Sequence, residues 1–277
     1  MSQQISSFLR YPGGKRRMLI FLKDHLPLLE KVESRYIEPF VGGGAVFFHI
    51  QPRKALLSDA NLDLIDIYKG IRYAPREVWA IYCEFGSTKR DYQHVRDHVV
   101  GETLVQRAAR MLYLNRTCFK GMWRHNRQGD FNVGYGGQAR RWVISEEDLL
   151  LTCKLLRKTS IRCSDFEPIV DSATQDDFLF LDPPYRPGER EYSNNHYIWR
   201  KFHFEDHQRL ALALQRATHR DVIWAMTTSS HPDITKLFRG NYALCIPRGT
   251  GRQPGITTIN SGEVFVSSYK TEGSKRL

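Results

Sequence analysis

The sequence predicts an α/β protein, a largely parallel sheet interrupted by a mostly helical insert. Short apolar runs alternate with amphipathic stretches near both ends of the chain, the pattern of a parallel sheet covered on both faces. From residue 75 to about 116 the strand pattern disappears and only helical periodicity remains. The two β-rich stretches flank that gap, so residues 1–62 and 145–277 are expected to build one sheet domain and residues 63–144 an insert.

In chain order, a loop over residues 9–15 leads into an amphipathic helix reaching about residue 32. Tyr36-Ile37-Glu38 reads as a short buried strand, followed by a glycine turn and a helix beginning near Gly44. Residues 55–59 form the second strand and 61–71 the next helix. After the helical stretch, residues 126–141 are polar and carry Gly129, Gly134, Gly136 and Gly137, as a loop would. Ser145-Glu146-Glu147-Asp148 is an N-cap with an acidic first turn for a helix through Lys158. Strands are then expected at 160–163, 178–181, 222–227, 242–246 and 263–269.

Composition narrows the class. Of 277 residues, 41% are hydrophobic and 26% charged, which excludes a disordered, collagen-like or coiled-coil chain. No run approaches the roughly 18 apolar residues of a membrane span, and Met1 to Arg10 has no charged segment leading into an apolar one, so neither span nor secretion signal is expected. Cys83, Cys118, Cys153, Cys163 and Cys245 are odd in number and lack C-x-x-C spacing, which points to reduced thiols rather than disulfides or structural zinc. Lys and Arg total 41 against 30 Asp and Glu, a net charge of +11. Taken alone, that excess fits a polyanionic partner and a merely basic surface equally.

Two motifs carry chemistry. Asp182-Pro183-Pro184-Tyr185 directly follows the apolar strand at 178–181, where ligands of open α/β sheets bind. Asp182 can accept a hydrogen bond from an exocyclic amine. Two successive prolines stiffen the backbone and leave the Pro183 carbonyl as a second acceptor, and Tyr185 offers a ring on which a planar base can stack. The bland alternative, an Asp-Pro-Pro turn closing a strand, explains none of this pairing. Glu38-Pro39-Phe40-Val41-Gly42-Gly43-Gly44 places glycines after the first strand, where backbone can approach a ligand and open a helix toward it. It is not the G-x-G-x-x-G fingerprint, and Gly13-Gly14-Lys15 is not a P-loop. Asp59, ending the next strand, is placed to accept from ribose hydroxyls, which together suggests an adenosine ligand without phosphate.

The insert adds a basic stretch: Arg107, Arg110, Arg116, Lys120, Arg124, Arg127, Arg140 and Arg141, against Asp130 alone. Tyr113, Phe119, Trp123, Phe131, Tyr135 and Trp142 are interleaved with it. Arginines neutralise phosphates and read guanine edges, and rings can wedge into a base stack. The competing reading is a solvated helix face with ordinary core aromatics. His203 and His207 are expected at the surface start of a helix, not as metal ligands.

These segments together resemble the Dam-type DNA adenine N6-methyltransferases. The matching segments are Arg10-Tyr11-Pro12-Gly13-Gly14-Lys15, Glu38 to Gly44, Ser58-Asp59-Ala60-Asn61 and Asp182-Pro183-Pro184-Tyr185, in the family's order. Leu114-Asn115-Arg116-Thr117-Cys118-Phe119 and Gly129-Asp130-Phe131-Asn132-Val133 match in the insert. The resemblance runs from Phe8 to about Lys270 and implies a Rossmann-like class I methyltransferase sheet with an inserted target-recognition domain. It implies S-adenosylmethionine as cofactor, bound by Tyr11, Pro12, Gly13, Gly14, Lys15, Glu38, Pro39, Phe40, Gly42, Gly44, Asp59 and Asp182, with Asp165-Phe166 bracketing the adenine. Asp182, Pro183, Pro184 and Tyr185 become the catalytic set. Arg10, Arg116, Phe119, Lys120, Arg124, Asn126, Asn132, Gln138 and Arg140 become the DNA-binding set, with Arg124 reading a guanine and Phe119 entering the base stack.

The same resemblance implies transfer to N6 of an adenine flipped out of duplex DNA, without metal. It further implies a cytoplasmic, nucleoid-associated, prokaryotic or phage-encoded enzyme, a monomer or weak dimer, with a cognate restriction enzyme as a candidate partner. GATC-specific members carry Asn, Pro and Tyr where this chain has Lys120, Gly134 and Gln138, so a target other than strict GATC is expected. Three rivals are weighed. Protein glutamine methyltransferases use Asn in place of Asp182, an RNA adenine methyltransferase would not need the DNA-type insert, and a silent DNA-binding module would not keep Asp182, Asp59 and the glycine turn.

Overall fold

The protein is described here by a computed structural model covering residues 8–11, 18–27, 35–126, 128–185, 202–247 and 262–277. The described residues form an eight-stranded sheet. Its strands are β1 (Tyr36–Glu38), β2 (Ala55–Asp59), β3 (Thr159–Cys163), β4 (Phe178–Leu181), β5 (Ile223–Ser229), β6 (Tyr242–Cys245), β7 (Glu263–Ser267) and β8 (Lys275–Arg276). The order is β3-β2-β1-β4-β5-β7-β6-β8. Strands β3 through β5 run parallel, while β7 pairs antiparallel with β5 and β6, and β8 antiparallel with β6.

Alternation along the strands builds a core on each face. Leu57, Phe178, Phe180, Ala225 and Phe265 point to one side, and Leu56, Leu179, Leu181, Trp224 and Met226 to the other. The second face is covered by α8 (Phe166–Asp171), α9 (Phe204–His219) and α10 (Pro232–Thr235). The first carries α1 (Leu19–His25), α2 (Ala45–Ile50), α3 (Leu62–Tyr73) and α7 (Glu146–Leu156). Helix α1 ends at His25, where Leu26 turns extended, short of the expected residue 32. Among the described residues no helix is long and apolar enough to cross a membrane.

The insert does not separate from the sheet at residue 63. Helix α3 packs on β2 and β3 on one side and on α6 (Leu104–Thr117) on the other. One hydrophobic cluster therefore runs from Leu57 and Phe178 through Tyr68 and Ile71 to Val78, Tyr82, Tyr113 and Trp123. Gly70 makes the approach of α3 to α6 possible, because a Cβ there would lie 2.3 Å from that of Ala108. The chain leaves the sheet layer at Ala74, which ends α3 and precedes Pro75 at the first turn of α4 (Pro75–Glu84). Thr88 and Thr103 close capping boxes for α5 (Lys89–Asp97) and α6, as Ser145 does for α7. The glycine-rich stretch folds back on the end of α6 through bridges Cys118 to Tyr135 and His125 to Phe131.

The insert's basic and aromatic residues are largely structural, which corrects the expectation of a broad basic surface. Arg107 pairs with Asp66 at 2.6 Å, and Arg110 donates to the carbonyls of Val95 and Arg96. Arg116 is buried and donates to the Arg140 carbonyl, and burial pulls its guanidinium down to about 10. Arg141 is buried among Tyr82, Tyr113 and Trp142, donating to the carbonyls of Tyr82, Phe85 and Gly86 where α4 ends. Tyr113, Trp123 and Phe131 are core, leaving Phe119 and Trp142 exposed. Arg127 lies outside the described residues.

Arg141 thus serves as a C-terminal cap buried in place of water. Replacing it by Met would strand three carbonyls, and Arg141→Met is expected to cost more than about 3 kcal/mol in urea unfolding. Arg140→Ala next to it removes an exposed side chain and keeps the carbonyl, and is expected to stay within about 0.5 kcal/mol of the parent.

Candidate active site

The sheet order reverses at β1, which has β2 on one side and β4 on the other, so the crevice outside their carboxyl ends is the natural ligand position. Four segments meet there: the turn after β1, the end of β2, the loop leaving β4 and the end of β5.

The turn after β1 is held by its neighbours. Val41 N–H donates to the Ser58 carbonyl, Gly42 N–H donates to the Asp59 carboxylate at 3.1 Å, and the Tyr68 hydroxyl donates to the Gly42 carbonyl at 2.9 Å. Gly42 has φ +46°, and a Cβ on it or on Gly43 would come within 2.9 Å of Tyr11. No other residue fits between that turn and the Tyr11 ring. Tyr11 is brought there by α6: the buried Asn115 accepts from Arg10 N–H at 2.8 Å and donates to the Arg10 carbonyl at 2.6 Å. Trp123 donates to the same carbonyl and lies against Tyr11.

Acidic side chains cluster behind this turn. Asp59 is buried and also accepts from Asn61 N–H at 3.0 Å, yet burial lifts its carboxyl to about 6. Glu38 turns inward, accepting from the Tyr36 hydroxyl at 2.8 Å and from Phe47 N–H in the first turn of α2. Burial, with Asp182 and Asp59 nearby, pushes Glu38 well above the carboxylate range. It therefore supports the turn from behind. Pro39 is buried beside it.

Asp182 leaves the end of β4 with its Oδ1 accepting from the Thr227 hydroxyl on β5 at 2.7 Å. The phenol of Tyr185 is buried beside Asp182, Thr227 and Glu263, and burial and these acids raise it well above its usual value. Pro183 is buried, while Pro184 and Tyr185 are partly open. On the other side of the sheet Phe40 stacks on Phe166 at 5.4 Å, and Phe202 closes edge-on against Phe40. Asp165 caps α8, and Arg209 lies over the Phe166 ring while donating to Asp165, Glu167 and Asp206. Phe202, Arg209 and Thr227 were missed from sequence. Arg209 shows only its Asp206 spacing there, and Thr227 reads as an ordinary strand residue.

The insert leaves a small exposed face. Phe119 and Lys120 are exposed on a turn, with the Lys120 ammonium over the Phe119 ring. Arg140 is exposed, and Arg124 is partly exposed with its guanidinium on Asn132. Arg10 lies under the turn, donating to the carbonyls of Arg116 and Cys118. Asn126 turns the loop to Asp130 through its side chain. Two expectations are corrected: Arg116 is core, and the Gln138 amide is buried beside Tyr113 without a hydrogen bond of good geometry, so neither reaches a ligand. His207 is likewise buried against Phe202, not on the surface, because it faces inward from the first turn of α9. Pro12, Gly13, Gly14 and Lys15 lie outside the described residues, as do residues 186–201. All five cysteines are free, and no cluster of metal-ligating side chains occurs among the described residues.

Residues 11–246 match the family described as D12 class N6 adenine-specific DNA methyltransferase. A type II methyltransferase of Methanocaldococcus jannaschii, M.MjaIII, is 33% identical over 257 residues, covering 86% of this chain and 89% of that protein. The type II methyltransferase M1.LlaDCHI of Lactococcus lactis subsp. cremoris is 30% identical, covering 84% of each. A DNA N-6-adenine-methyltransferase of Escherichia phage P1 is 33% identical over 84% of this chain and 31% of its own length.

The Asp59 carboxyl, up at about 6 from an ordinary 3.8, makes stability depend on pH. The folded protein binds this proton more tightly than the unfolded chain does. The associated stability is full below about pH 4 and is lost as pH rises through about 6. Two units correspond to about 3 kcal/mol. Urea unfolding is expected to show the parent losing about that much relative to Asp59→Asn between pH 4 and 7. A pH-independent difference would contradict this assignment.

Proposed function

For a chain that belongs to the D12 class of N6 adenine-specific DNA methyltransferases, we propose that the crevice receives an adenine turned out of duplex DNA beside Asp182. The observation that carries this reading is the Asp182-Pro183 pair at the switch point, oriented by Thr227 and next to the glycine turn. The family implies S-adenosylmethionine as the methyl donor.

The residues present suit that donor. The Gly42-Gly43 backbone leaves the space a side chain would fill, and buried carboxylates at Glu38 and Asp59 favour a cation. The buried hydroxyl of Ser58 and the amide nitrogen of Asn61 have no hydrogen-bond partner among the described residues. Asp59 would hold ribose hydroxyls, and Phe40, Phe166 and Asp165 the adenine. When bound, the donor supplies an activated methyl on a sulfonium. The remaining work falls to the chain. Asp182 and the Pro183 carbonyl accept the two N6 hydrogens and so aim the nitrogen lone pair, and Tyr185 stacks on the base. Alignment and charge stabilisation supply most of the rate, as no covalent intermediate is required. Extruding the base costs a few kcal/mol.

DNA is met by the insert. Arg140 is assigned to phosphates, Phe119 to the gap left by the extruded base, and Lys120 and Arg124 to base edges, with Arg10 holding the turn of Phe119 and Lys120 at the target site. Asn126 and Asn132 shape the loop that carries Arg124. Lys120 is a three-donor point charge and finds only acceptors, such as guanine N7 and O6, where an Asn would also accept. Gly134 is exposed with nothing within 4 Å, so that position contributes no side-chain contact. The site read is therefore other than strict GATC. Two relatives carry type II methyltransferase names, which supports action beside a restriction enzyme on the cell's own DNA in the cytoplasm.

Asp182→Ala is expected to lower methyl transfer to adenine N6 by at least about a thousandfold while DNA affinity stays within about twofold, because its partner is the amine. Transfer near the parental rate would remove Asp182 from this role. Methylome sequencing of cells expressing the protein is expected to find N6-methyladenine outside GATC. Methylation confined to GATC at high expression would overturn the proposed reading by Lys120 and Gly134.

A further inference from the structure

We propose that Thr227 is the positioning residue for Asp182, its hydroxyl fixing one carboxylate oxygen so that the other meets the target amine. The inference rests on the reading of Asp182 as acceptor of the N6 hydrogens.

The geometry follows from strand register. Leu181 pairs with Met226 across the parallel β4–β5 ladder, so the next residue on each strand, Asp182 and Thr227, are neighbours at the sheet's carboxyl edge. Thr227 is fully buried, and its hydroxyl donates to Asp182 Oδ1 at 2.7 Å. A buried hydroxyl costs stability unless bonded. Strand β5 does not provide that bond automatically, since adjacent Thr228 is equally buried and its hydroxyl has no hydrogen-bond partner among the described residues. The Thr227 hydroxyl is satisfied at the site itself, donating to Asp182 and bonding with the Tyr185 phenol.

The bond constrains a torsion that otherwise has little preference. Rotation of a carboxylate about its Cβ–Cγ bond is broad and roughly two-fold, so Asp182 alone would present its oxygens over a wide range of directions. A donor fixed on the neighbouring strand selects one rotation. The constraint is rigid because Thr227 is held on both sides, by β4 and by Phe265 of β7. The Tyr185 phenol bonds with both Thr227 and Asp182, so it is a third member of this group and keeps water from taking the donor's place. A residue acting this way affects transfer more than binding, since it aligns the amine without adding contacts to the substrate.

The test uses the full chain with Thr227→Val, which keeps the shape and removes the hydroxyl, and Thr227→Ser, which keeps the hydroxyl. Methyl transfer to duplex DNA is measured at saturating and limiting concentrations of each substrate, alongside calorimetric S-adenosylmethionine binding. Expected for Thr227→Val is a fall in kcat of about tenfold to a hundredfold, with KM for DNA and donor affinity within about twofold. Thr227→Ser is expected to keep kcat within about threefold of the parent. Parental kcat in Thr227→Val, an equal loss in both variants, or a loss confined to KM would overturn the proposal. If the valine variant fails to fold, Thr227→Ala against Thr227→Ser makes the same comparison. An active Asp182→Ala would instead overturn the reading beneath it, whereas an inactive Asp182→Ala with an unaffected Thr227→Val rejects the positioning role alone.

Discussion

The clamp between Asn115 and the backbone of Arg10 is the contact on which both halves of the site depend. One buried amide satisfies the N–H and the C=O of a single residue, at 2.8 and 2.6 Å. A backbone unit buried against the insert would otherwise lose hydrogen bonds to water, a cost of about 1–3 kcal/mol per group. The clamp lays the Tyr11 ring over Gly42 and Gly43 and the Arg10 side chain under the turn that carries Phe119 and Lys120. The glycine turn and the turn of Phe119 and Lys120 are thus set by the same short segment.

That coupling explains why the insert shares its core with the sheet. If the DNA-reading surface were joined by a flexible linker, an extruded base would arrive at a variable distance from Asp182, and small misplacements are costly for transfer. Helix α3, packed between the sheet and α6, removes that freedom. The buried arginines serve the same end. Arg116 and Arg141 give up a surface role to hold carbonyls that no regular hydrogen-bond ladder reaches. Their guanidiniums offer several donors in a fixed plane, which a lysine could not reproduce.

At the crevice, stability and function oppose one another. Glu38 and Asp59 are buried where their ionised forms are disfavoured. Backbone amides from Phe47, Gly42 and Asn61 offset only part of that cost. A positive charge placed beside these carboxyls would lower that penalty, which is the feature on which the proposed cationic donor rests.

The sequence by itself determined the strands except the two-residue β8, the switch-point motifs and the family, because each is local. Residues 178–181 announce themselves by an unbroken apolar run, 36–38 and 55–59 by apolar residues that end on an acid, and Asp182 to Tyr185 and Glu38 to Gly44 by short fixed spacing. Charge was the misleading signal. A count of basic residues does not say where a guanidinium points, and Arg107, Arg110, Arg116 and Arg141 proved to be bonded within the insert. Only the tertiary structure decided which cations stay at the surface, that Gln138 and His207 turn inward, and that Thr227 meets Asp182. The physical reason is the same in each case: burial and hydrogen-bond partnership arise from segments tens of residues apart. The pairing of residues 182 and 227 exists only once two parallel strands, joined through a long crossover, lie side by side in register.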